Sequence, residues 1–240
     1  MLQVALIVFV FATLASFIQR VSGFGFGIAI MTVLPFLMPS FGEATALSGM
    51  LAIVTALLPA MRMLGCVPWR KLIPILITFL AVSFVAVGML GRVDSIALKK
   101  VLGLILILVS LWFLFFSSMV HLPASMSVQV GMGTLSGLMG GLFAMQGPPA
   151  VIYFISASKT KEEYIALTQW YFLVGNIMMT FFRAGNGFVT PTVLKLWALA
   201  VPDVLAGLWI GGKVYSRIDI GLLRKIVYAF LALAGVIALF

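Results

Sequence analysis

The chain has 240 residues, of which 63% are hydrophobic and 9% charged, and its 15 Lys and Arg outnumber 6 Asp and Glu for a net charge of +9. A soluble domain carries roughly a quarter charged residues, so a water-soluble globular fold is excluded. The basic residues stand singly or in pairs between apolar segments, which marks them as loop anchors that set topology and argues against a nucleic-acid surface.

Uncharged stretches reach the length that crosses a bilayer, about 20 residues. There are 20 such residues between Lys71 and Arg92, 19 between Glu163 and Arg183, and 58 between Lys100 and Lys159. The N-terminal MLQVALIVFVFATLAS has the apolar core of a signal peptide without its basic leading region, and reads as part of the membrane domain. Apolar spans are expected at 3–38, 44–61, 72–91, 101–118, 126–157, 164–182, 196–212 and 226–240. The first and fifth are too long for one crossing. The loops are short, the longest polar one being Ser156 to Tyr164. This is an all-α, polytopic integral membrane protein.

The spans repeat in order: one long, three medium, then the same again. SGFGFGIAIMTVLP (22–35) lies over SGLMGGLFAMQGPP (136–149), pairing Ser22 with Ser136, Gly23 with Gly137 and Pro35 with Pro149. RVDSIALKKV (92–101) lies over RIDIGLLRKI (217–226). Two matching blocks in the same order point to an internal duplication, with repeats at 1–118 and 119–240, a plan common among secondary transporters.

The first element, Val4 to Met38, has 35 residues. As one helix it would be about 52 Å long, against a hydrocarbon core of about 30 Å. It must break, tilt or fold back, and Ser22, Gly23, Phe24, Gly25, Phe26 and Gly27 mark where, because glycine tolerates the positive φ of an unwound segment. The second copy is expected to break at Ser136–Gly141, with Gly137, Gly140 and Gly141, and again at Gln146, Gly147 and Pro148. Broken elements at matched positions of two halves point to a transport site. Each break starts a half-helix whose free N–H groups and positive dipole end favour an anion. The alternative for any one glycine is close helix packing.

Other residues carry two readings each. Arg20 is a substrate or gating charge at depth, or a snorkelling anchor near the interface. Arg62 and Arg183 close equivalent segments and read first as interfacial anchors. Asp203, after Pro202, could carry a coupling proton or pair with a basic neighbour. Gln146, Gln169 and Asn176 could bind substrate or bridge helices. The single Cys66 excludes an intrachain disulfide and a cysteine-built metal cluster, and His121 sits in a loop beside Pro123, so no metal or cofactor is expected. GFGFG lacks the βαβ context of a nucleotide loop, and no Walker, HExxH or GxSxG motif is present, so an enzyme is not expected.

The glycine and proline frameworks SGFGFGIAIMTVLP, GCVPWRKL, SGLMGGLFAMQGPP and GLWIGGKVYSRIDIGLLRKIVYAFLALAGVIAL resemble those of the sulfite exporter TauE/SafE family, over nearly the whole chain. The resemblance implies a transporter of small anions such as sulfite and organosulfonates in the cell (inner or plasma) membrane, with the two breaks as its site. Met139 stands where the first cluster has Gly25, so the half-sites are not equivalent. A homodimer fits a transporter this small, and nothing in the residues sets it.

Two topologies remain. If each long element crosses once, the repeats are parallel; if each is a V-shaped hairpin, they are inverted. Lys and Arg divide nine against five between the two sides in either case; length favours the hairpin. A membrane scaffold without transport and a passive anion channel stand beside the transporter reading.

Overall fold

The computed structural model describes residues 2–115, 122–123, 125–214 and 220–239. His121 and the start of the second RIDIGLLRKI block lie outside them. The described residues form helices and no strand: α1 (Leu2–Ser22), α2 (Phe26–Ile30), α3 (Leu34–Leu37), α4 (Phe41–Arg62), α5 (Trp69–Met89), α6 (Ser95–Phe115), α7 (Met126–Phe143), α8 (Gly147–Ala157), α9 (Lys161–Gly185), α10 (Pro191–Val214) and α11 (Ile220–Leu239). Five helical segments are long and apolar enough to span a bilayer: Phe41–Arg62, Trp69–Arg92, Ser95–Phe115, Lys161–Gly185 and Pro191–Val214. The protein is a multi-pass membrane protein.

Local chemistry sets the helix starts. The Ser40 and Thr160 hydroxyls accept from the Glu43 and Glu163 amides at 3.1 and 3.2 Å, each filling one orphan donor of a first turn. Prolines at the first turns of α8 and α10 sit where a missing N–H costs nothing. Large apolar side chains such as Leu6, Phe84, Leu138, Phe181 and Trp209 point outward, as they do in a protein whose outer solvent is lipid.

Cross-helix contacts fix directions. On α10, Asp203 O accepts from Thr13 Oγ1 at 3.3 Å, and a β-carbon on Gly211 would lie 2.9 Å from Arg20 Cβ, so α10 runs parallel to α1. Trp197 Nε1 donates to Met50 O at 3.3 Å, and Arg62 and Lys213 line one cavity further along, so α4 is parallel to α10 too. Two parallel helices joined in sequence require a return between them, and α2 with α3 supplies it. In the second half, α7 packs parallel on α5: Gly133, Gly137 and Gly141 meet Thr78, Val82 and Ala86 in turn. Aromatic pairs Trp69–Trp170 and Phe84–Phe182, at 5.6 and 5.2 Å, align α5 with α9. Here α8 is the return. Gln129, on the first turn of α7, donates to the Tyr153 hydroxyl on α8 at 2.8 Å, a contact possible only if α8 lies back along α7.

Two further pairs are antiparallel. Gly42 faces Phe188 while Gly49 faces Arg183 and Asn176, which sets α4 against α9. Phe113 stacks on Tyr228 at 5.3 Å while Gly103 abuts Gly235, which sets α6 against α11.

One expectation about the second long element is corrected. Ser136–Gly141 does not unwind: α7 runs through it to Phe143. A β-carbon would stand 2.7 Å from Val82 Cβ at Gly137 and 2.6 Å from Ala86 Cβ at Gly141. These glycines let α7 and α5 approach, the packing use of small residues in membranes. The chain breaks just after, at Ala144–Gln146, where Ala144 takes φ 55°. The break therefore lies C-terminal to SGLMGG, the block that the sequence aligns with SGFGFG.

Candidate functional site

The first break is at Gly23–Gly25. Gly23 and Gly25 have φ 85° and 103°, left-handed values that cost other residues about 1–2 kcal/mol. Side chains hold the unwound turn. The Ser22 hydroxyl lies 2.6 Å from the carbonyls of Ile18 and Phe24. Gln169 Nε2 donates to Gly23 O at 3.0 Å. Gln19 Oε1 accepts from Phe26 N at 3.1 Å, satisfying the first amide of α2. The Phe24 ring packs on Phe113 at 5.1 Å.

At the second break the Ser136 hydroxyl donates to Gln146 O and accepts from the Tyr171 hydroxyl, the latter at 2.6 Å. Arg183 Nη2 donates to Gly140 O at 2.8 Å, capping the end of α7, where carbonyls lack helical partners and favour a cation.

The two breaks meet. A β-carbon on Gly27 would fall on the Ala144 carbonyl oxygen, so only glycine admits this approach of tip to tip. Between the tips lies a gap of about 30 Å³, room for a water or two at roughly 10–15 Å³ each. Gly25 and Gly27 line it from one tip, Ala144, Gln146 and Gly147 from the other. Gln19, Thr55, Phe172 and Asn176 complete the wall. Gln146 is 4% exposed, and neither Oε1 nor Nε2 has a partner.

Two expectations about this site change. The half-helix ends are weaker than a paired-dipole scheme needs. α2 has five residues, too few peptide dipoles to sum to a large end charge, and Pro148 and Pro149 leave the start of α8 short of amides. The donors left at the gap are instead the Gln146 carboxamide and one N–H of Asn176, since the Thr55 hydroxyl and the Phe26, Ala144 and Met145 amides already donate within the chain. Arg183 is also no interfacial anchor. It is 0% exposed, with Nε and Nη1 unpartnered. A β-carbon on Gly49 would lie 2.8 Å from Arg183 Nη1 and 3.7 Å from Asn176 Oδ1. Its cation therefore sits close beside the polar wall of the gap. Arg62, its counterpart by sequence, is exposed.

The remaining candidates fall outside the gap. Gly23, Arg20 and Gln169 line a neighbouring cavity of about 100 Å³. Pro148 faces an apolar groove with Met132 and Leu135. Asp203 is partly buried on the α1–α10 seam. Gln19, Thr55 and Phe172 were not singled out from the sequence. Thr55 had a signal: it is spaced from Asn176 as Arg62 is from Arg183.

This architecture has relatives. The family described as "Sulfite exporter TauE/SafE" matches residues 8–237. The chain belongs to the TauE/SafE sulfite exporter family. A protein of Cupriavidus necator named "Probable sulfite/organosulfonate exporter TauE" is 25% identical over 228 residues, covering 90% of this chain and 86% of its own. No solved structure matches. TauE/SafE membership places the chain in a family of transporters, in keeping with a polar gap buried between membrane helices.

Proposed function

We propose that the protein is a secondary transporter in the cell membrane that exports a small sulfur oxyanion, sulfite or an organosulfonate, bound between the two hairpin tips near mid-membrane. The observation that carries this is Gln146, which lines the gap where the breaks converge and whose buried carboxamide has no partner. A buried polar group without a partner costs about 1–3 kcal/mol, and a ligand that accepts and donates there removes the cost. Family membership and the name of the Cupriavidus necator relative supply the chemical class. Asp203 is the carboxylate we assign to proton coupling.

The same reading takes 1–118 and 119–240 as inverted repeats. It is supported by the helix directions. Matching α1, α4, α5 and α6 to α7, α9, α10 and α11 carries the α1–α10 pair onto α7–α5. It leaves α4–α9 and α6–α11 self-paired and antiparallel, as an axis in the membrane plane requires. An axis along the membrane normal would make those pairs parallel.

The test is flux. Purified protein in liposomes is loaded with sulfite, taurine, sulfoacetate or chloride, and efflux is followed with and without a proton gradient. Selective, gradient-dependent efflux of a sulfur anion is expected, with gradient dependence lost in Asp203→Asn. Absence of sulfur-anion movement under any gradient overturns the proposal.

A further inference from the structure

A cavity of about 660 Å³ lies between α1, α4 and α10, and Arg20, Arg62 and Lys213 line it. The Arg20 side chain crosses Gly211 and Gly212, where a β-carbon would come 3.0 Å from its Cγ and 3.4 Å from its Nε. Lys213 Nζ sits 3.7 Å from the Trp209 ring centre. Among the described residues no Asp or Glu lines this cavity, and the ion pair is Lys71–Glu163, which involves none of the three cations.

The cavity is linked to the gap between the tips by shared walls. Arg20, Thr55 and Pro59 line both it and the 100 Å³ cavity at Gly23 and Gln169. Gln19 and Thr55 line both that cavity and the gap. The row of cavities thus runs from three cations with no ion pair among the described residues, past Gln19 and Gln169, to the neutral polar gap. Clefts of one charge sign raise the local concentration of counter-ions about 10- to 1,000-fold.

We propose that this cleft is an outer anion site, an entry vestibule where Arg20, Arg62 and Lys213 collect the oxyanion before it reaches the tips. This rests on the transport reading for the identity of the anion. The vestibule lies at the end of the molecule where α4 and α10 finish and α5 and α9 begin. The connections at that end and the helix turns beside them hold nine Lys and Arg, against four at the other once the buried Arg183 is left out. By the positive-inside rule this end is cytoplasmic, which is where an exporter must load. A lipid phosphate offers the same chemistry, and Leu58, Leu205 and Trp209 give the cleft apolar walls. The walls shared with the gap favour the substrate.

The test needs no flux. The single Cys66 is exposed and is replaced by Ser, and Ile165→Cys, which lines both outer cavities, becomes the reporter. Its rate of modification by a sulfonate-bearing methanethiosulfonate is compared with that by a trimethylammonium-bearing one. About a tenfold preference for the anionic reagent is expected, abolished by Arg20→Gln with Arg62→Gln and weakened by salt. An unchanged melting temperature reports that the variants remain folded. Equal rates, or a preference that survives the double variant, overturn the proposal. Saturable protection by added anionic lipid, absent in zwitterionic vesicles, reassigns the site to a headgroup. Charge-selective labelling in a protein that moves no sulfur anion would overturn the transport reading and leave the anion site standing.

Discussion

Gln146 separates a binding role from a structural one. In Gln146→Leu an unpartnered buried amide becomes a similar-sized apolar side chain, and such replacements are neutral or stabilising. The expected melting temperature is unchanged or raised by a few degrees, since about 1 kcal/mol shifts a chain of this size by roughly 2–4 °C. Sulfite efflux and anion-induced thermal stabilisation are expected to be lost. A scaffold predicts no such loss. Gly27 is the complementary probe. Gly27→Ala drives a methyl into the backbone carbonyl of Ala144, which no rotamer can relieve. A destabilisation of about 1–3 kcal/mol with loss of efflux is expected, measured by melting and flux together. Gly25→Ala meets only Ile18 Cγ2 at 3.6 Å, so its cost is left-handed strain. Gly25→Asn, which tolerates that conformation, is expected to recover most of the melting temperature.

Among the elements, α7 and α8 show what could be read in advance and what could not. The excess length of 126–157 foretold an interruption, and QGPP foretold an end near Gln146. SGLMGG did not identify itself as packing surface, because unwinding and close approach call for the same residue. What distinguishes them is a partner helix opposite, and the chain does not announce that α5 lies there. Arg62 and Arg183 make the same point: each ends a helix beside an interfacial-looking loop, yet one is exposed and the other caps the buried end of α7. Gly137→Leu is accordingly expected to loosen α7 from α5, lowering the melting temperature while the folded fraction keeps its anion affinity in a binding titration. The return arm α8 is pinned at its far end. Lys71 Nζ donates to Ala157 O at 2.7 Å and pairs with Glu163 at 2.6 Å. Exchanging Lys71 and Glu163 restores the ion pair but not the bond to Ala157, because a carboxylate cannot donate. The swapped protein is expected to melt below the parent, and Lys71→Arg close to it.

At the scale of the whole molecule, the narrowness of the junction between the tips has a kinetic consequence. A gap of about 30 Å³ cannot hold an oxyanion until Gly27 and Ala144 part, and these atoms belong to the two hairpins. On the proposed route each passage waits on a displacement of one hairpin against the other, on the microsecond-to-millisecond clock of collective motions. Turnover is expected to saturate with anion concentration and to rise steeply on warming. An open pore would show weak temperature dependence and a current proportional to the driving force. With the two tips in contact, the proposed route makes the rate of anion release a property of the protein's own stiffness rather than of the anion's diffusion.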